Sequence, residues 1–257
     1  MESVFRVDGE RIIASPAAGG PWDPRMQHGA APSALVVWAA EALATPVPMR
    51  IARLTVDLMR PVPVAPLTWR SEVLREGRKI QLCSVKLLSD DVVVAVATVL
   101  KVRAQAVKLP SEVLGPAVTL PGPEHAPEEL GHAASSPFVA CVSMRAARGH
   151  FGVPGPAAIW FRLDRPLIEG FAVSQAVRAA VAADFGNGVA PALDFRKWTF
   201  INADLTVSLA REPVGEWILV DAESWIGPDG AGLVMSRLAD TRGYFGRAVQ
   251  SLVIEPR

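Results

Sequence analysis

Three polar side chains stand at points in the chain where the surrounding pattern is apolar, and together they could activate water. Asp184 follows Val181-Ala182-Ala183 and precedes Phe185-Gly186-Asn187-Gly188. A carboxylate in the last turn of a helix opposes the helix dipole, which favours cations there, and burial among apolar neighbours is costly for it. Local physics gives little reason for an aspartate here, whereas a general base or water-orienting group would be a reason. The bland alternative is a carboxylate that reaches solvent at a frayed helix end. Asn202, in Phe200-Ile201-Asn202-Ala203-Asp204, and Gln250, in Ala248-Val249-Gln250-Ser251-Leu252, interrupt strand-like segments with amides that can both donate and accept. Strand alternation leaves open whether each amide faces the interior or a wet outer surface.

The elements that must position these residues come from a duplication. Leu54-Thr55-Val56-Asp57-Leu58-Met59-Arg60 and Leu205-Thr206-Val207-Ser208-Leu209-Ala210-Arg211 both read L-T-V-x-L-x-R, at a spacing of 205 − 54 = 151. A Pro-Val step follows each. Upstream of each lies a helical segment, Pro32–Leu43 and Ser174–Phe185, containing Ala-Ala before a carboxylate. Downstream come strand-like runs, Leu67–Arg75, Ile80–Leu88 and Val92–Val102 against Trp217–Trp225, Gly232–Ala239 and Arg247–Ile254. Turn signals such as Ser89-Asp90-Asp91 and Gly227-Pro228-Asp229-Gly230 separate them. Shorter strands precede the helices, at Val4–Ile13, Phe138–Ala147 and Ala157–Leu163. Gly186 or Gly188 is expected to end the second helix.

The helices argue for the architecture. The first carries only Ser33 and Glu41 as polar residues over three turns; the second adds Gln175, Arg178 and Asp184. A helix apolar nearly all round must be enclosed, and with one such helix per copy an antiparallel sheet must enclose it. The expectation is an α+β protein of two tandem modules, residues 1–107 and 136–257. A Pro-rich segment at 108–135 links them. Pairing their sheets would bury one edge of each. At the 151-residue offset, Ile51 stands for Asn202 and Val99 for Gln250, so the copies share a scaffold but not a chemistry.

Composition narrows the function. Basic and acidic residues balance at 26 each, with no basic run that would suit nucleic acid or anionic lipid. Cys83 and Cys141 are isolated in apolar stretches and read as buried free thiols, in keeping with a reducing cytoplasm. The four histidines, His28, His125, His132 and His150, lack metal spacing, so neither metal nor cofactor is expected. No signal-peptide pattern or span for a membrane helix is visible. G-x-S-x-G, G-x-G-x-x-G and Walker patterns do not occur. Gln27-His28-Gly29 is read as a turn into the first helix, with Gly29 allowing close backbone approach; a contact to substrate or to the other module is the competing reading. Arg60 and Arg211, present in both copies, are read as structural rather than as contacts to phosphate.

The chain resembles the acyl-CoA thioesterase II (TesB-like) family, close to its actinobacterial-type members, over nearly its whole length. The resemblance rests on Gly20-Pro21-Trp22-Asp23-Pro24, Gln27-His28-Gly29 and Arg53–Pro63 in the first half. In the second half it rests on Ala183–Gly188, Asn202–Leu205, Gly215-Glu216-Trp217 and Val249–Leu252. It implies a double hot-dog fold and a catalytic set of Asp, Ser or Thr, and Gln. Those roles fall on Asp184, Asn202 and Gln250. Asn202 departs from the pattern, an amide replacing the hydroxyl. The implied reaction is hydrolysis of a fatty acyl-CoA by an activated water in a cytoplasmic homo-oligomer. A non-catalytic acyl-CoA or lipid-thioester binding protein of the same fold is the alternative. A hot-dog hydratase is disfavoured, since its usual Asp-His arrangement is not visible: no histidine is expected near Asp184, Asn202 or Asp204.

Overall fold

The structure is a computed structural model that describes residues 2–110, 113, 115–129 and 136–257. Its strands are β1 (Phe5–Asp8), β2 (Arg11–Ala14), β3 (Met49–Leu58), β4 (Pro66–Arg75), β5 (Ile80–Ser89) and β6 (Val92–Arg103) in the first half. The second half holds β7 (Val142–Arg148), β8 (Ala157–Leu163), β9 (Trp198–Asn202), β10 (Asp204–Leu209), β11 (Ile218–Ile226), β12 (Ala231–Asp240) and β13 (Gly243–Pro256). The helices are α1 (Ala30–Glu41), α2 (Gln175–Asp184) and the short α3 (Gly186–Val189).

All strands join one antiparallel sheet in the order β1-β2-β4-β5-β6-β3-β10-β13-β12-β11-β8-β7, with β9 also on β13. Read outward from the β3–β10 junction, the two halves mirror each other. The repeated L-T-V segments are that junction. Thr55 and Thr206 face each other in register, their Oγ1 atoms 3.2 Å apart. The duplication thus buries the two edges that would otherwise be open, and the fold is the expected double hot-dog.

α1 is buried along almost its whole length, from Ala30 to Ala40 with Trp38 half-exposed. Ten of the eleven positions from Ala30 to Ala40 are buried, as its composition requires: it is roofed by β3 to β6 and by α2. α2 is entered by Ser174, whose hydroxyl accepts the Val177 N–H at 3.1 Å, an N-cap of the usual kind. The helices run antiparallel, since Gly29 at the start of α1 lies against Asp184 at the end of α2, and Glu41 at the end of α1 lies near Ser174 at the start of α2.

The expected termination at Gly186 or Gly188 is not what happens. Helical structure breaks at Phe185 and resumes as α3 through both glycines. Gly186 serves packing instead: a Cβ there would come within 2.7 Å of Ser236 Oγ and 3.0 Å of Gln250 Oε1. The described part of the linking segment runs ordered against the second half. Trp160 Nε1 donates to Pro121 O at 2.9 Å, Arg145 to Pro123 O at 2.7 Å, and Ala146 N–H to Pro127 O at 2.8 Å. His132 lies outside the described residues.

Both cysteines are buried and unpaired. Arg211 forms a two-pronged pair with Asp240, at 2.5 and 2.8 Å. Its counterpart Arg60 is exposed and has no ion pair among the described residues. No helix among the described residues is long and apolar enough to cross a membrane.

Candidate active site

A local irregularity brings Asn202 inside. In β10 the inward residues are Leu205, Val207 and Leu209. Strict alternation back from Leu205 would turn Asn202 outward. Ala203 instead bulges out between β9 and β10, its N–H going to Ser251 O and its carbonyl accepting from Leu58 N–H. The added residue switches parity, so Phe200 and Asn202 share the inner face with Leu205. The first copy carries the same irregularity at the equivalent point, between Ile51 and Arg53. Gln250 needs no such device. It alternates inward with Ala248 and Leu252, while Val249 and Val253 point to solvent.

Asp184 is 4 % exposed. Asn202 Nδ2 donates to its Oδ1 at 3.1 Å, and His28 Nδ1 lies 3.1 Å from Oδ2. The carboxylate therefore has not escaped to solvent at a frayed end. Although it opposes its own helix dipole, it sits over the first turn of α1, where the dipole of the other helix favours an anion. Gly29 permits this: a Cβ would stand 2.7 Å from Oδ1 and 3.0 Å from Oδ2.

His28 meets the competing reading of the Gln27-His28-Gly29 turn, a contact to the other module, and corrects the expectation that no histidine lies near Asp184. It does more than turn the chain into α1; it bridges the two modules at the carboxylate. Its Nδ1 also lies 3.1 Å from the Ala30 N–H. With a proton on Nδ1 the ring donates to Asp184; without one it accepts from Ala30. The ring is fixed between Phe138, stacked at 5.1 Å, and Phe185 at 4.7 Å. The backbone before it is also tied down, with His28 N–H on Ala18 O and Gln27 N–H on Val62 O. The signal in the sequence was the glycine after His28, since a need for close approach at a helix start implies something to approach.

Gln250 reaches a different part of the same residue. It is 1 % exposed. Its Nε2 donates to the Asp184 main-chain carbonyl at 3.1 Å, and its Oε1 accepts the Asn187 N–H at 3.1 Å. Gln250 thus spans the break between α2 and α3 and holds the backbone that carries the carboxylate. The structure brings Asp184, Asn202 and Gln250 together, with Asn202 on the carboxylate and Gln250 on the main chain. In the first half Ile51 and Val99 occupy the equivalent inward positions, both buried. Among the described residues, no group of three or more His, Cys, Asp or Glu could hold a metal ion. Chemically, the site offers a buried carboxylate with an amide donor on one oxygen, an imidazole at the other, and a helix start beside them.

Family models cover both halves of the chain. One for the acyl-CoA thioesterase N-terminal domain matches residues 18–102, and one for the acyl-CoA thioesterase C-terminal domain matches residues 115–254. Among solved structures, a candidate thioesterase from Novosphingobium aromaticivorans is 19 % identical with a TM-score of 0.75, over 98 % of this chain and 99 % of that one. A protein of unknown function with a hot dog fold from Alicyclobacillus acidocaldarius is 18 % identical, TM-score 0.74, over 98 % and 95 %. The tesB protein of Mycobacterium avium subsp. paratuberculosis is 17 % identical, TM-score 0.71, over 98 % and 96 %. At these identities the likeness to solved structures is one of fold. No curated protein sequence matches the chain.

Proposed function

The chain belongs to the acyl-CoA thioesterase family, and we propose that it hydrolyses a fatty acyl-CoA to the free acid and CoA at the site built around Asp184. One observation carries the reading: a buried carboxylate held between Asn202 and His28 across the two modules, at the start of a helix. Asp240 is buried against a guanidinium, but Asp184 is held by an amide and an imidazole, a setting suited to function.

In the proposed reaction Asp184 accepts a proton from water as the water oxygen attacks the thioester carbonyl carbon. Asn202 keeps Oδ1 in place, so the carboxylate presents a fixed lone pair. Gln250 is a positioning residue, fixing the main chain at Asp184. The positive end of the α1 dipole is suited to the charge that develops on the carbonyl oxygen. Collapse of the tetrahedral intermediate breaks the carbon–sulfur bond, and the proton passes from Asp184 to the departing thiolate. The amide at Asn202 can fulfil the donor part of the usual hydroxyl's role, because its N–H already reaches the carboxylate.

A cytoplasmic homo-oligomer acting on acyl-CoA belongs to the same proposal. The test is a panel of acyl-CoAs of graded chain length, with release of free thiol followed continuously. Turnover of at least one member is expected. Binding of acyl-CoA without thiol release would replace the proposal with that of a non-catalytic thioester-binding protein.

A further inference from the structure

The repeat puts an arginine at the same place in both copies, but only one of the two is held. Arg211 donates to both oxygens of Asp240, at 2.5 and 2.8 Å, and to the carbonyls of Glu212 and Gly243, at 3.1 and 3.0 Å. Its guanidinium also lies over the Phe245 ring at 5.6 Å. Asp240 is fixed in turn by the Val214 N–H. The 151-residue offset runs strand on strand here, since β5 spans Ile80–Ser89 and β12 spans Ala231–Asp240. At that offset Ser89 stands for Asp240, Val94 for Phe245, and Pro63, which has no N–H to donate, for Val214. The first copy thus has the cation without the carboxylate and the ring that hold it in the second. Arg60 is exposed and has no ion pair among the described residues.

Its place in the fold is specific. Of the residues gathered at the site, Asp184 and Gln250 are buried, whereas Asn202 is half-buried and the His28 side chain is 12 % exposed. Solvent therefore meets the site at Asn202 and His28. The strap from Leu58 to Val62 is tied beside each of them. Leu58 N–H donates to the carbonyl of Ala203, next to Asn202, at 2.9 Å. The carbonyl of Val62 accepts the N–H of Gln27, next to His28, at 2.7 Å. Arg60 is the middle residue of that strap, and its N–H donates to Val94 O at 3.3 Å. From Asp184 through Asn202 and Leu58, strand spacings put the Arg60 backbone roughly 10–15 Å from the carboxylate.

We infer that Arg60 binds the phosphate that ends the pantetheine arm of the substrate while the thioester lies at Asp184. The inference rests on the hydrolase reading of the Asp184 site. About 13 bonds separate the thioester sulfur from that phosphorus, and an extended chain advances roughly 1.2 Å per bond, so the arm spans about 15 Å. That length is commensurate with the separation of Arg60 from the carboxylate. A guanidinium stays charged at any working pH and offers a fork of N–H donors that fits phosphate oxygens. Arg211 is barred from the same role, because Asp240 already occupies its donors and its copy carries Ile51 and Val99 in place of Asn202 and Gln250. Duplication has left one arginine that braces the fold and one that meets the ligand.

The test compares three thioesters of one acyl chain: acyl-CoA, acyl-4′-phosphopantetheine and acyl-pantetheine, the last without phosphate. Each is assayed with the wild type, Arg60→Ala and Arg60→Lys. Arg60→Ala should raise KM about tenfold for the two phosphate-bearing substrates and leave kcat unchanged, the signature of a contact made equally in ground and transition states. It should leave acyl-pantetheine turnover and Tm as in the wild type. Arg60→Lys should recover part of the loss, since it restores the charge but not the fork. Equal KM in wild type and Arg60→Ala overturns the inference, as does an equal loss on acyl-pantetheine. A loss confined to acyl-CoA also overturns it, because the contact would then be to the adenosine end. In each of these cases continued hydrolysis by the wild type preserves the proposed function. Absence of wild-type turnover on all three substrates overturns both.

Discussion

Gly29→Ala perturbs the site through a single methyl group. Gly29 has φ −54° and ψ −28°, a right-handed helical conformation open to any residue, so alanine meets no backbone penalty. The added Cβ would lie 2.7 Å from Asp184 Oδ1 and 3.2 Å from Cγ. Ordinary contact begins near 3.4 Å, so the carboxylate must withdraw by about 0.7 Å. It has little room to do so, being held by Asn202 and His28 at 3.1 Å on either side. A displacement approaching 1 Å in a reacting group costs about 10²-fold in rate, near 2.7 kcal/mol of transition-state stabilisation. Overpacking should lower stability by only about 1–2 kcal/mol. The assay is thiol release from an acyl-CoA that the wild type turns over, alongside thermal unfolding. Gly77→Ala is the matched control, its Cβ meeting only Ile80 O at an ordinary 3.5 Å. Wild-type turnover in folded Gly29→Ala would refute the reasoning, since it would mean the carboxylate's position does not govern the chemistry.

Three further outcomes are expected. Asn202→Ala should lower kcat by roughly 10–100-fold through loss of the donor on Asp184, whereas Asn202→Ser should keep part of the activity; steady-state kinetics on both variants checks this. Ser33→Ala should stabilise the protein by about 1 kcal/mol, because it removes an unpaired buried hydroxyl and supplies a better helix former, raising Tm by about 2–4 °C; a lowered Tm would show that the hydroxyl has a structural partner. Burial alone would push the Asp240 carboxyl up, but hydrogen bonds from Arg211 and from the Arg242 and Val214 N–H groups outweigh it and hold it below the usual carboxylate range. Its stabilisation is thus fully present above about pH 4 and is lost as pH falls through the lowered native value. Chemical unfolding between pH 2 and 6 should show that acid-dependent loss in the wild type and a smaller one in Asp240→Asn.

Much of this was legible in the sequence because duplication repeats its own signals. The 151-residue offset aligns β3, β4, β5 and β6 with β9–β10, β11, β12 and β13, and the near absence of polar residues in α1 required an enclosing sheet. The face presented by Asn202 was not legible. Alternation counted from Leu205 turns it outward, and only the bulge at Ala203 reverses that, through backbone pairing that no side chain announces. Gln250 was ambiguous because its outward neighbours Val249 and Val253 are the more apolar residues, while the amide finds buried backbone partners across the α2–α3 break. His28 lay far from Asp184 in sequence. Its role depends on antiparallel packing of two helices from different modules, a long-range juxtaposition that periodicity does not encode.

The most direct test replaces the carboxylate itself. Asp184→Asn keeps the shape and the contact with Asn202 but removes the proton acceptor. With acyl-CoA as substrate, and with folding and acyl-CoA affinity verified as unchanged, thiol release should fall by about 10³-fold or more. Thiol release by Asp184→Asn at the wild-type rate would contradict the account.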